Sequence, residues 1–121
     1  VKRILITEDS PTMRSLLIST IETLDGYEIV EAASGFEALR LLPRDKVDLI
    51  ITDINMPDIN GLELISYVKN SPNYRNIPLF IISTESSEKD MEKGLALGAD
   101  EYLTKPFNPL KLQELIKRYL G

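Results

Sequence analysis

The sequence predicts an α/β protein: a doubly wound, five-stranded parallel sheet in the order 2-1-3-4-5, covered by helices on both faces. Three observations lead there. Short apolar runs alternate with amphipathic segments along all 121 residues, the pattern of repeated strand–helix units. Five such units fill the length of one ordinary domain, so residues 1–121 read as a single domain. Right-handed crossovers and buried central strands then favour that strand order.

Taken in order, the strands centre on Ile4-Leu5-Ile6, Glu28-Ile29-Val30, Leu49-Ile50-Ile51, Leu79-Phe80-Ile81-Ile82 and Tyr102-Leu103. The first, third and fourth are expected to be buried on both faces. The first helix opens at Ser10-Pro11, an N-cap followed by Pro at the first helical position, and carries Met13, Leu16, Leu17, Ile21 and Leu24. The second opens at Ser34-Gly35-Phe36-Glu37, which has capping-box spacing, ahead of Ala38, Leu39, Leu41 and Leu42. Gly61 leads the third helix toward Val68, and Ser86 or Ser87 is the expected cap of the fourth, with Met91, Leu95 and Leu97. Asn108-Pro109 repeats the cap-then-Pro device before Leu110, Leu112, Leu115, Ile116 and Leu120. Gly26, Gly94 and Gly98 are expected at or near helix ends.

Two absences in the composition narrow the chemistry. The chain has no cysteine, which excludes disulfides and thiol catalysis, and no histidine, which excludes Ser-His-Asp chemistry. Any metal must therefore be a hard cation held by oxygen. A net charge of −5 argues against direct nucleic-acid binding. No apolar run approaches the roughly 18 residues of a membrane span, and the N-terminal apolar stretch is too short for a signal peptide. A cytoplasmic location without membrane insertion is the expectation. The chain begins at Val1 rather than Met, which leaves room for a longer or processed protein.

In a doubly wound sheet, ligands bind beyond the carboxyl ends of the strands. Strand one ends in Thr7-Glu8-Asp9, strand three in Thr52-Asp53 and strand four in Ser83-Thr84, and strand five runs into Lys105-Pro106. Singly, each is ordinary: an acid after a strand is usually solvated or a cap, Ser83 a turn hydroxyl, Lys105 a surface lysine. Together they are not. Convergent carboxylates repel and raise one another's pKa unless a cation intervenes, and Mg²⁺ suits an oxygen-only site. An Asp carboxylate can be a nucleophile and form an aspartyl-phosphate. The pattern points to a phosphoryl acceptor with its metal.

The stretch Asp53-Ile54-Asn55-Met56-Pro57-Asp58-Ile59-Asn60-Gly61 matches a D-x-x-M-P-x-x-x-G loop, and Gly98-Ala99-Asp100-Glu101-Tyr102-Leu103-Thr104-Lys105-Pro106-Phe107 matches a G-A-x-x-[YF]-L-x-K-P-F segment. With the acidic pair after strand one, the whole chain resembles a receiver domain of the two-component response-regulator family. The flavodoxin-like order 2-1-3-4-5 is that family's own known topology, so it is no independent derivation. The resemblance implies Asp53 as phosphoacceptor. It implies a Mg²⁺ site from Glu8, Asp9, Asp53 and the backbone carbonyl of Asn55, with Asp9 a direct ligand. It implies Lys105 pairing with phosphoryl oxygens, Ser83 as the switch hydroxyl, Tyr102 as the switching aromatic, and a cis Lys105-Pro106 bond. The phosphodonor would be a histidine kinase or phosphotransfer protein. The output partner, or a fused effector domain, would meet the face built from the fourth helix, fifth strand and fifth helix. Such a switch catalyses its own phosphorylation and dephosphorylation without turning over an outside metabolite.

One position departs from the family pattern. Thr84 stands where a small Ala or Gly is usual, and its branched side chain is expected to crowd Asp53. The runs Glu8-Asp9-Ser10-Pro11-Thr12-Met13-Arg14 and Ser83-Thr84-Glu85-Ser86 resemble chemotaxis-type single-domain receivers. Rival readings fare worse. An aspartate-nucleophile phosphatase carries D-x-D after strand one, which Glu8-Asp9-Ser10 does not supply. A flavodoxin-like cofactor binder needs an anion-welcoming loop there, not two acids. An interaction module that is never phosphorylated would have no use for Asp53, Lys105 and the acidic pair together.

Overall fold

The computed structural model describes residues 1–84 and 88–121. Strands and helices alternate: β1 (Lys2–Thr7), α1 (Pro11–Glu22), β2 (Tyr27–Ala32), α2 (Gly35–Leu41), β3 (Leu49–Thr52), α3 (Gly61–Asn70), β4 (Leu79–Thr84), α4 (Glu88–Leu97), β5 (Glu101–Lys105) and α5 (Pro109–Leu120). The five strands form one parallel sheet in the order β2-β1-β3-β4-β5. In register, β1 and β3 end together, Thr7 pairing with Thr52, and β4 and β5 end together, Thr84 pairing with Lys105; Thr52 pairs with Ile81, so β4 runs three residues further. The acidic residues therefore emerge along one edge.

Strand alternation divides the core into two layers. Leu5, Ile50 and Ile81 point to one face and pack with Ala38 and Leu42, with Leu64, Ile65 and Val68 of α3, and with Met91 of α4. Ile4, Ile6, Leu49, Ile51, Phe80, Ile82 and Leu103 point to the other, against Leu17 and Ile21 of α1 and Leu112, Leu115 and Ile116 of α5. As expected, β3 is buried along its whole length, as are β4 up to Ser83 and β1 from Ile4 onward, while the edge strands keep exposed positions. Burying each such aliphatic side chain contributes roughly 1.5–3 kcal/mol. Phe80 meets Tyr119 edge-on at 5.1 Å, and the Tyr119 hydroxyl donates to Glu101 Oε2 at 2.6 Å, tying α5 to β5.

The expected caps form at three helix starts. Ser10 accepts from the Met13 N–H, Ser34 from Glu37, and Asn108 from Leu110 and Lys111. The full capping box lies elsewhere than expected, on Asn60 and Glu63 of α3. Glu37 instead accepts from the Ala33 N–H, because Ser34 holds only its own half of the box. Ser86 and Ser87 lie outside the described residues. Leu24 falls beyond α1. Gly98 sits just past α4 with φ +119°. Gly94 has a different reason: it lies within α4, where a Cβ would run into the Ile81 side chain, so α4 rides close on the sheet.

Candidate functional site

Three strand ends build the site. Glu8 and Asp9 leave β1, Asp53 leaves β3, and Lys105 ends β5. Carboxylate oxygens of Glu8, Asp9 and Asp53 all lie within 4.8 Å of one another. Lys105 Nζ stands between two of these acids, 2.8 Å from Glu8 Oε1 and 3.0 Å from Asp53 Oδ2. The other Asp53 oxygen, Oδ1, accepts from the Ile54 N–H at 2.7 Å. Glu8 Oε2 accepts from the Ser10 N–H at 3.1 Å.

Burial and charge pull on this cluster in opposite directions. Glu8 is almost wholly buried, and that desolvation pushes its pKa up; the Lys105 ammonium and the Ser10 N–H pull it back, while the Asp53 charge adds to the rise. Burial alone would lower the Lys105 pKa, but the paired carboxylates of Glu8 and Asp53 outweigh it and hold the lysine charged. Asp9 differs from its neighbour in being exposed. The donor set is all oxygen, clustered, and open to solvent on the Asp9 side, which is the chemistry a hard cation takes.

The remaining expected residues are distributed around this centre. Asn55 is exposed, two residues past Asp53 in the β3–α3 loop. Ser83 ends the buried part of β4, and its Oγ is buried without a hydrogen-bond partner among the described residues. Thr84 follows it at the surface. Tyr102 stands apart from the acids. It is 49% exposed and lines a groove of about 260 Å³ with Glu88, Met91 and Thr104. The Lys105-Pro106 peptide bond is cis.

Several residues have local roles that the sequence reading did not assign to them. Arg14 reaches back from α1 to donate to the Glu8 carbonyl at 2.7 Å, and its guanidinium lies 3.4 Å from Glu31. Gly61 permits the close return of the β3–α3 loop, since a Cβ there would collide with the Asp53 carbonyl oxygen and the Ile54 Cα. The Gly61 N–H donates to the Ile54 carbonyl at 2.7 Å, closing that loop at its base. Thr7 Oγ1 is a second buried hydroxyl with no partner among the described residues. Only Gly61 had a sequence signal, as the last residue of the D-x-x-M-P-x-x-x-G loop. Among the described residues no helix is long and apolar enough to cross a membrane.

Comparison with known proteins places these features in context. The family described as the response regulator receiver domain matches residues 4–117. A chemotaxis protein CheY homolog of Campylobacter jejuni subsp. jejuni is 36% identical over 120 residues, covering 98% of this chain and 92% of that protein. The structure of the chemotaxis response regulator CheY4 of Vibrio cholerae superposes with a TM-score of 0.88 at 35% identity, covering 99% of both chains. The receiver domain of a sensor histidine kinase from Pseudomonas aeruginosa PAO1, with a magnesium ion coordinated in its active-site cleft, has a TM-score of 0.89 at 28% identity and covers 99% of this chain and 98% of that one.

Proposed function

The chain belongs to the response regulator receiver domain family, the phosphorylation switches of two-component systems, and from that premise we propose that Asp53 is its phosphoacceptor. Receiver domains are signalling switches rather than turnover enzymes, and they take phosphate from histidine kinases. The observation that carries the assignment is the Lys105 ammonium held between Glu8 and Asp53, with Asp9 beside them. The whole of 1–121 forms one such unit in this reading, working in the cytoplasm.

Glu8, Asp9, Asp53 and the Asn55 carbonyl would hold Mg²⁺, with exposed Asp9 the most available side chain. When bound, the cation supplies charge neutralisation for an anionic donor approaching an acidic crevice. An Asp53 carboxylate oxygen attacks the phosphorus, its new P–O bond forming as the bond to the donor nitrogen breaks. Lys105 is already at Asp53 and turns its ammonium to the phosphoryl oxygens, so the charge it now gives the carboxylate passes to the phosphate. The Ser83 hydroxyl, without a partner among the described residues, has a hydrogen bond to offer those oxygens. A shift of Ser83 toward the phosphate draws the exposed Tyr102 inward, changing the α4–β5–α5 face that meets the output partner. The CheY relatives favour a chemotaxis pathway.

The test is labelling with a small phosphodonor and Mg²⁺. One acid-stable, hydroxylamine-labile phosphoryl group is expected on Asp53, absent in Asp53→Asn. Equal labelling of that variant at another residue overturns the assignment.

A further inference from the structure

The β3–α3 loop is tied at a third point that lies outside the acidic centre. Its base is closed by the Gly61 N–H on the Ile54 carbonyl and by the Asn60–Glu63 capping box. Its tip is held by α2. Asp58, in that tip, accepts from the Gly35 N–H at 3.1 Å through Oδ1 and from the Phe36 N–H at 2.9 Å through Oδ2, across 23 and 22 residues of chain. Both are first-turn amides of α2, groups with no partner inside the helix. The Phe36 N–H, followed by those of Ile59 and Gly35, holds the Asp58 carboxyl down at about 2, so the anchor is ionised throughout the physiological range. Packing repeats the same link. A Cβ on Gly35 would lie 2.6 Å from the Ile59 carbonyl oxygen and 2.8 Å from its Cβ, so the start of α2 is seated directly against the loop tip.

We propose that Asp58 is a positioning residue for the phosphoacceptor loop, and that its clasp on the first amides of α2 couples occupancy of the acidic centre to the start of that helix. The loop between Asp53 and Gly61 carries Asn55, whose carbonyl faces the metal in the reading above, on which this inference rests. With its base closed at Gly61 and its tip clasped at Asp58, the loop holds that carbonyl in one place; with the tip released, it must be ordered by the cation itself. Coupling is reciprocal: a cation that orders the loop also tightens the α2 amides. Phe36, 63% exposed beside the clasp, then reports the state of the centre on a face remote from Tyr102.

Three variants separate coupling from simple helix capping. Asp58→Ala removes the clasp. Gly35→Ala pushes the loop tip away from the helix side. Ser34→Ala removes the ordinary cap of α2, its bond to the Glu37 N–H, and leaves the clasp in place. Mg²⁺ affinity is measured by calorimetry, melting temperature by circular dichroism, and exchange of the Gly35 and Phe36 amides by NMR with and without Mg²⁺. Asp58→Ala and Gly35→Ala are expected to bind Mg²⁺ about three- to tenfold more weakly, with Asp58→Asn, which keeps one acceptor oxygen, in between. Ser34→Ala should melt lower yet bind Mg²⁺ as wild type does. In wild type, Mg²⁺ should slow exchange at both amides. Unchanged Mg²⁺ affinity in Asp58→Ala and Gly35→Ala, or amides indifferent to Mg²⁺, would reduce Asp58 to a helix cap and overturn the coupling alone. A wild-type chain that binds no Mg²⁺ overturns the metal-site reading and the coupling with it.

Discussion

Replacing Lys105 with Met removes the cation that Glu8 and Asp53 share while keeping the length of its aliphatic stem. At an effective dielectric of about 20, a unit charge about 3 Å from a carboxylate is worth roughly 5 kcal/mol before desolvation is subtracted. The two acids are the buried members: their side chains are 1% and 7% exposed, against 15% for the lysine. Breaking a buried pair from one side costs about 3–5 kcal/mol, and the residual exposure of Lys105 puts this case near the lower end. A loss of about 3 kcal/mol lowers the melting temperature by roughly 10 °C in a domain of this size. The loss must also depend on pH. Burial already pushes the Glu8 pKa up, and Lys105 is the chief restraint on that rise. Without it, the folded pKa of Glu8 climbs further above its unfolded value. Such a group contributes stability below the unfolded pKa and loses it as pH rises through the folded one, so Lys105→Met should be relatively more stable near about pH 5 than near about pH 8. Thermal melts of both proteins at the two pH values, in EDTA, check this. A variant that melts within about 2 °C of wild type at the higher pH, or a gap that stays constant on acidification, refutes the claim that these carboxylates depend on the lysine.

Three further outcomes follow from the same geometry. Asp9→Asn should melt slightly higher than wild type in EDTA, by less than about 1 kcal/mol because Asp9 is exposed, and should lose most of the stabilisation that millimolar Mg²⁺ gives wild type; paired calorimetric scans decide it. Gly61→Ala should cost about 2–3 kcal/mol, read from urea denaturation, since its Cβ meets the Asp53 and Ile54 backbone, which cannot rotate away as a side chain can. Asp58→Ala should be less stable than wild type at neutral pH. Because the folded Asp58 pKa is depressed to about 2 from its ordinary 3.8, that difference should be full above pH 3.8 and vanish as pH falls toward 2; melts across this window measure it.

What the sequence determined by itself is whatever rests on local pattern. Period-two and period-3.6 hydrophobicity delivered five strands and five helices, because burying apolar faces decides which segments form which element. Ser10, Ser34 and Asn108 were legible as caps because a capping side chain reaches only two or three residues along the chain. The acids at the ends of the first and third strands were legible as one cluster once the strand order was in hand, since parallel strands share their carboxyl edge.

Tertiary structure alone decided the partners within that cluster. That Lys105 bridges Glu8 and Asp53, leaving Asp9 to solvent, depends on distances across 52 residues and on burial, neither of which is written locally. The same holds for Gly94, whose spacing looked like a helix end and whose place is a close approach of α4 to Ile81. It holds most clearly for Asp58. Nothing near it in the chain marks its partners in α2, because the Gly35 and Phe36 amides, 23 and 22 residues upstream, belong to a helix brought beside it only when the sheet closes. Local preferences act over a turn or two; which side chain meets which charge is set by the packing that brings distant segments together.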